Sequence, residues 1–442
     1  MAPNHPMVYP SEQILYHYTK DLAFLAKAVD AHLNHQSTDY LRSAPSQSAI
    51  ECRSLIQQVL TEYKMQYPEG IDGILLSGGL DTSILVEASA QTWSDELGTT
   101  GLLSLDKRGA ARPLLAFKHA FTLQAHSDAQ DAVFAASIFE RLQGVSLERH
   151  HVLRDTLDEL LLHAPQVTKL LMSCDPMELR NSLVTYATLA RAAELGVRHV
   201  ATGDAADEIF CGYSFYQRMD EEALLAYRLQ IIQVMQFTAS KLAASFGITV
   251  LSPFLDARIV RFARKLTKSD LIGERTPVPF DGAVHGKLVL RQAFPESFSQ
   301  WRAKEPIEQG SGTTALRMGF FNDHWSKYEF EVLQKEVFQK HRVFVRDNEH
   351  LFFFRAFLQA FDHDLSTVPK QRCLDMATGG GEEAIEDRFC PACYFELSHA
   401  DQDFCVTCGF WPTKPTATND AKGYATQALK RLASDKQRLM RL

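Results

Sequence analysis

Between residues 71 and 83 the chain reads Ile-Asp-Gly-Ile-Leu-Leu-Ser-Gly-Gly-Leu-Asp-Thr-Ser, and the apolar stretch Ile84-Leu85-Val86 follows. An apolar run of strand length that breaks into paired glycines and then resumes predicts a buried strand, a tight loop and a helix start. Glycines let backbone N–H groups turn inward with no Cβ in the way, and the helix N-terminus adds positive potential. Such a loop holds a phosphate or pyrophosphate. Asp81 is its unusual member. An acid inside an anion-binding loop repels phosphate unless a divalent cation lies between them, so Asp81 implies Mg²⁺. No G-K-S/T follows, which separates this loop from the Walker type.

A second strand-like run, Val197 to Ala201, opens into Thr202-Gly203-Asp204-Ala205-Ala206-Asp207-Glu208 and continues to Cys211-Gly212-Tyr213. Three carboxylates within five residues repel one another unless a cation or a proton-transfer role holds them. Farther on come Ser252-Pro253-Phe254-Leu255-Asp256, then Gly286-Lys287-Leu288-Val289-Leu290-Arg291, and then Trp301-Arg302-Ala303-Lys304-Glu305-Pro306.

In this order the segments resemble the synthetase domain of asparagine synthetases, within the PP-loop ATP pyrophosphatase superfamily, whose members cleave ATP between the α and β phosphates. The resemblance covers roughly residues 50–320. It implies that Ser77, Gly78, Gly79, Thr82 and Ser83 cradle pyrophosphate and that Asp81 and Asp207 hold Mg²⁺. It further implies that Asp204 deprotonates an incoming nitrogen, while Lys304 stabilises charge on the α-phosphate and the leaving group. Lys287 and Arg291 are carried over as further ATP- and pyrophosphate-binding residues, and Asp256 as a supporting one. Ala205 and Cys211 stand where glycine is usual, and an L-residue at 205 predicts a differently shaped loop.

The intervening sequence predicts an α/β fold, a doubly wound parallel sheet of the PP-loop kind with a helical C-terminal part and a small zinc ribbon. Leu114 to Leu123 is an apolar run of strand length. Ser127 to Gln130 has capping-box form ahead of a helical pattern that Gly144 ends. A short segment at His150-His151-Val152, a helix from Asp155 and a helix over Ser182 to Leu195 follow, with Gly196 as the stop. Strand–helix alternation of this kind implies a parallel sheet with ligands at the C-terminal strand ends, where both acid-bearing loops fall. The pattern from Met219 to about Leu242 is helical, and Phe352-Phe353-Phe354 reads as core.

Near the end, Cys390-Pro391-Ala392-Cys393 and Cys405-Val406-Thr407-Cys408 form two C-x-x-C knuckles. Four thiolates at this spacing predict a closed, structural Zn²⁺ site, with His399 at the surface. The expected divisions are a helical N-terminal extension (1–69), the synthetase-like domain (70–370), a flexible acidic linker (371–388), the ribbon (389–412), and a second linker with a basic helical tail (413–442).

Glutamine-dependent members of the family begin with a Cys just after the initiator Met, whereas this chain begins Met1-Ala2-Pro3 with about 70 residues ahead of the loop. Nitrogen is therefore expected from free ammonia, a partner subunit or an amine on another substrate. No apolar run approaches membrane-spanning length, and scattered Cys52, Cys174, Cys211 and Cys373 suit a reducing cytoplasm. Cys211 is expected to be a small buried residue. A net charge of −8 argues against broad nucleic-acid binding, although ribbon and tail offer a local contact. The resulting expectation is an ATP- and Mg²⁺-dependent ligase that adenylates a carboxylate and passes it to ammonia or an amine. An RNA- or protein-modifying PP-loop enzyme docking its substrate through the ribbon and a non-catalytic nucleotide-binding scaffold are the alternatives.

Overall fold

The structure, a computed structural model, describes residues 45–94, 104–105, 111–112, 116–127, 129–141, 149–274, 284–317, 319–373, 388–399, 402–416, 419–420 and 422–441. Five parallel strands form its main sheet: β1 (Ile71–Leu75), β2 (Phe117–Leu123), β3 (His150–Leu153), β4 (His199–Ala201) and β5 (Thr249–Leu251). Their spatial order is β3-β2-β1-β4-β5. The chain thus winds outward from β1 to one edge, returns, and winds outward to the other. Strand order reverses between β1 and β4, and Gly73 pairs with both His119 and Val200 there. A crevice opens at the carboxyl ends of strands flanking such a reversal, which is where doubly wound sheets bind ligands.

Helices cover the sheet: α1 (Gln47–Gln66), α2 (Leu80–Ser94), α3 (Gln130–Arg141) and α4 (Pro176–Glu194). Ile71 and Ile74 of β1 are fully buried with Ile56 and Leu60 of α1 and Ile84 and Leu85 of α2. The run expected over Leu114 to Leu123 forms strand Phe117–Leu123, the segment at His150 to Val152 is strand His150–Leu153, and the helix before Gly144 is present, while Leu114, Asp128 and Gly144 lie outside the described residues. Helix α4 starts well ahead of the expected Ser182, because Pro176 is pre-set for a first turn and the Asp175 carboxylate accepts from Met177 N. The helix expected from Asp155 is two pieces, Leu157–Leu161 and Ala164–Leu171, the second opening on Pro165. Likewise the pattern over 219–242 divides into Glu221–Val234 and Thr238–Ala244.

Short helices α5 (Ala206–Ile209), α6 (Leu288–Ala293) and α7 (Ile307–Ser311) follow the functional loops. A second core forms around α8 (Asn348–Ala360) and the tail helix α9 (Tyr424–Arg441). Phe354 and Phe357 of α8, Leu432 of α9, Phe395 and all four knuckle cysteines share it. The cysteines are therefore packed into the body. Asn419 and Asp420, within the expected second linker, are also tied down: Asn419 donates to Asp403 at 2.8 Å, and Asp420 accepts from Thr426 N and Oγ1. The acidic linker falls almost wholly on 374–387 and the N-terminal extension largely on 1–44, both outside the described residues. No helix among the described residues is long and apolar enough to cross a membrane.

Candidate functional site

The loop between β1 and α2 is held from both sides. Gly78 adopts φ +67°, and Gly79 N donates to Ser77 Oγ at 3.2 Å. Ser83 Oγ donates to Gly79 O at 2.7 Å, and Thr82 Oγ1 lies 3.3 Å from Ser77 Oγ. From the far end of the sequence Ser299 Oγ donates to Gly78 O at 2.6 Å, and Arg302 donates to Ser77 O at 2.8 Å. Arg302 is itself fixed by Asp131 of α3 at 2.6 Å and Glu305 at 3.0 Å, with its guanidinium 4.3 Å from the Phe134 ring centroid. The Trp301–Pro306 segment therefore closes over the loop. The role of Arg302 and the participation of Asp131 and Ser299 are not apparent from the sequence alone. The R-x-K spacing was a signal for the arginine, whereas nothing local marks its partners.

The β4–α5 loop enters from the other side of the crevice, its Gly203 packed against Asp81 and Thr82. A row of alternating charges results. Lys287 Nζ lies 2.6 Å from Asp81 Oδ2 and 2.6 Å from Asp207 Oδ1, and Lys304 Nζ lies 2.8 Å from Asp207 Oδ2. Lys287 is only 3% exposed and opens α6 from a left-handed conformation, φ +57°. Burial alone would raise the Asp207 carboxyl, but Lys287 and Lys304 together hold it at about 2. Burial raises Asp81 in spite of Lys287. Burial would lower Lys304, yet Asp207 and Asp81 keep it raised and protonated. Asp207 Oδ1 is buried and lacks a well-directed hydrogen bond even beside Lys287. Asp81 and Asp207 bring hard carboxylate oxygens of the kind that suit Mg²⁺ side by side, each paired here with a lysine.

Asp204 stands slightly apart. It accepts from Thr202 Oγ1 at 2.9 Å, and Thr202 lies 3.2 Å from Ser252 Oγ of the Ser252–Asp256 element. Burial pushes the Asp204 carboxyl up to about 6, the range of a working general base. Glu208 accepts from the Tyr213 hydroxyl at 2.7 Å, and Lys304 Nζ stands 5.6 Å from the Tyr213 ring centroid.

Two of the carried-over residues are turned elsewhere. Arg291 donates to Gly286 O at 2.8 Å and to the carbonyls of Gln300 and Arg302, fastening the Lys287 and Lys304 segments to each other. Asp256 caps the helix Ala257–Ala263 and pairs with Arg258, which reaches Glu62 of α1. The backbone suited to an L-residue that was expected at Ala205 is not found: Ala205 sits at φ +77° and Cys211 at φ +59°, the left-handed region that glycine adopts easily. Their small side chains pack into the main core, which offsets the strain. Cys211 is fully buried, and burial pushes its thiol up to about 11.

At the other pole Cys390, Cys393, Cys405 and Cys408 bring their sulfurs within 4.8 Å of one another, all buried. Cys390 and Cys408 are 3.7 Å apart, as are Cys393 and Cys405. A tetrahedral metal with bonds of about 2.3 Å sets sulfurs about 3.8 Å apart, so the cluster has the dimensions of a four-thiolate Zn²⁺ site. His399 is exposed, as expected.

Residues 72–237 match the family model for asparagine synthase. A probable glutamine-hydrolyzing asparagine synthetase of Dictyostelium discoideum is 24% identical over 325 residues, covering 69% of this chain and 53% of that protein. An asparagine synthetase of Lotus japonicus is 21% identical across 70% of this chain and 50% of its own length. Asparagine synthetase B of Escherichia coli is 25% identical over 54% and 41% respectively. The chain thus spans about half the length of the relatives it matches. Sheet order, the acid-bearing loops at the strand reversal and these similarities together identify residues 72–237 as an asparagine synthase domain.

Proposed function

We propose that this protein is an ATP-dependent, amide-forming ligase that adenylates a carboxylate and transfers the acyl group to ammonia or an amine. The observation that carries this reading is the row Asp81–Lys287–Asp207–Lys304 beside the Ser77–Ser83 loop. A γ-phosphate site needs cations at the end of a triphosphate. Here cations and metal-suited acids surround the loop where a departing pyrophosphate would lie.

Ser77, Gly78, Gly79, Thr82 and Ser83 would hold the pyrophosphate, and Lys304 and Lys287 would neutralise charge as it forms. Mg²⁺ held by Asp81 and Asp207 would supply further positive charge. A substrate carboxylate oxygen bonds to the α-phosphorus as the bridge to the β-phosphate breaks. The nitrogen then bonds to the acyl carbon, the C–O bond to AMP breaks, and Asp204 takes the nitrogen's proton. Arg302 and Arg291 position the loop and the two lysines. Zn²⁺ in the four cysteines would be structural, because a closed four-thiolate site leaves no open position.

The test is product identity. With a panel of amino-acid and peptide carboxylates plus ammonia, AMP and pyrophosphate are expected, whereas ADP and orthophosphate would refute the reading. A macromolecular substrate is a second possibility, supported by exposed Lys430, Arg431, Arg438 and Arg441 on α9. RNA copurifying with the protein, and raising ATP cleavage, would favour it.

A further inference from the structure

The cysteine cluster and the nucleotide loop belong to different cores, yet one continuous series of contacts joins them. At the cluster end, Cys174 N donates to Thr407 O at 2.7 Å and Ser173 Oγ donates to Val406 O at 2.8 Å. Gly409 follows at φ +68°, where a Cβ would collide with the Asp175 carboxylate, and Arg346 donates to its carbonyl. The second knuckle thus grips residues 173–175, and Asp175 is the N-cap of α4.

One turn into α4, Arg180 is buried between two acids. It donates to both oxygens of Glu349 on α8, at 2.7 and 2.8 Å, and lies 3.6 Å from Glu308 on α7. The neighbouring Asn181 accepts from Glu308 N at 3.1 Å. Glu308 comes four residues after Lys304. Gly310, in the same short helix, lies so close to the Asp131 carboxylate that a Cβ would overlap it. Asp131 fixes Arg302, and Arg302 donates to Ser77 O in the loop.

We propose that metal occupancy of the four-cysteine cluster positions the Ser77–Ser83 loop and Lys304, with Arg180, Glu308 and Asp131 as the positioning residues. This rests on the reading of that loop as the pyrophosphate cradle. Helix α4 is the element both ends act on: the knuckle holds its N-cap, and its second turn holds α7. A helix moves as a unit, and a buried ion triad tolerates only the geometry in which its charges stay paired. Loosening the knuckle therefore shifts Glu308, and with it the segment that carries Arg302 and Lys304.

The test uses the full chain, with zinc content measured alongside hydrogen exchange and ATP·Mg²⁺ affinity. Stripping the metal with a chelator should speed exchange in peptides covering 77–83 and 302–310 while leaving β2 protected. It should also weaken ATP binding by about tenfold, within the usual range of coupling between sites. Because chelation could unfold the second core, Glu308→Gln is measured in the zinc-loaded protein. It should keep full zinc content yet show the same faster exchange at 77–83, and chelation should then add no further change there. Arg180→Lys, which keeps the charge, should restore most of the protection that Arg180→Gln loses. Unchanged exchange at 77–83 in both the stripped protein and Glu308→Gln would overturn the proposal. A loop that responds to zinc in a protein that does not bind ATP would instead sink the pyrophosphate reading and leave the coupling standing.

Discussion

The crevice beside β1 and the cysteine cluster both bury ionisable groups, and they handle the burial in opposite ways. The crevice gathers Asp81, Asp207, Lys287 and Lys304 from three distant stretches of chain into one alternating row of ion pairs. The cluster draws four sulfurs from the span Cys390–Cys408 and buries them in a core shared with Phe354, Phe357 and Phe395. One arrangement pairs acids with lysines that a phosphate and a cation could each engage. The other is closed, with four buried sulfurs at the spacing a structural metal site would use. Paired charge marks the place where chemistry is proposed, and closure marks the place where stability is.

Asp81→Asn tests that contrast with the largest effect. The change keeps the shape but removes one charge from the row, and it should lower turnover by about 10²-fold or more while the melting temperature barely moves. Near-normal ATP cleavage at saturating Mg²⁺ would show that the crevice does not need this charge. The counterpart at the closed site is Gly409→Ala. Its left-handed φ of +68° and its contact with Asp175 leave no room for a methyl. Strain of this kind costs about 1–3 kcal/mol, so thermal unfolding should come several degrees earlier. An unaltered melting curve would mean that the knuckle is loosely seated.

Acid pH separates the regions more gently. Asp204 must be ionised to accept a proton and its carboxyl lies at about 6, so the rate should climb about tenfold per pH unit up to that value and then level off. Because the folded state binds this proton more tightly than the unfolded chain, its stabilising contribution is present at low pH and lost as pH rises through about 6. The acid loss of rate therefore cannot come from unfolding through this group. Asp204→Asn should abolish the limb, and a persisting limb would assign it to another residue. Ala205→Gly is the smallest change. Relieving a left-handed alanine at φ +77° should raise stability by at most about 1 kcal/mol, read from the urea midpoint, with activity retained. A loss of stability would show that the methyl's packing outweighs the strain.

Much of this was legible from local patterns. The apolar run before Ser77 and the alternation of strands and helices gave the parallel sheet, because hydrophobic period and glycine placement are properties of neighbouring residues. The C-x-x-C pairs announced their cluster for the same reason. Arg302 shows where that legibility stopped. Its place near Lys304 was visible, but its bonds to Ser77 O and Asp131 cross 225 and 171 residues of chain. Ala205 could not be placed from sequence, because an alanine alone favours negative φ, whereas here burial in the core holds it at φ +77°.

Sequence by itself therefore determined the alternation of strands and helices and the positions of the acid-bearing loops at strand ends, since each depends on residues a few positions apart. Only the tertiary structure decided which charges face one another, that Arg291 serves carbonyls, and that the cysteine cluster lies in the body and grips the start of α4. Pairing and burial are set by chain folding in three dimensions, where a carboxylate's partner is the nearest cation in space and the cost of leaving it alone depends on the water excluded around both.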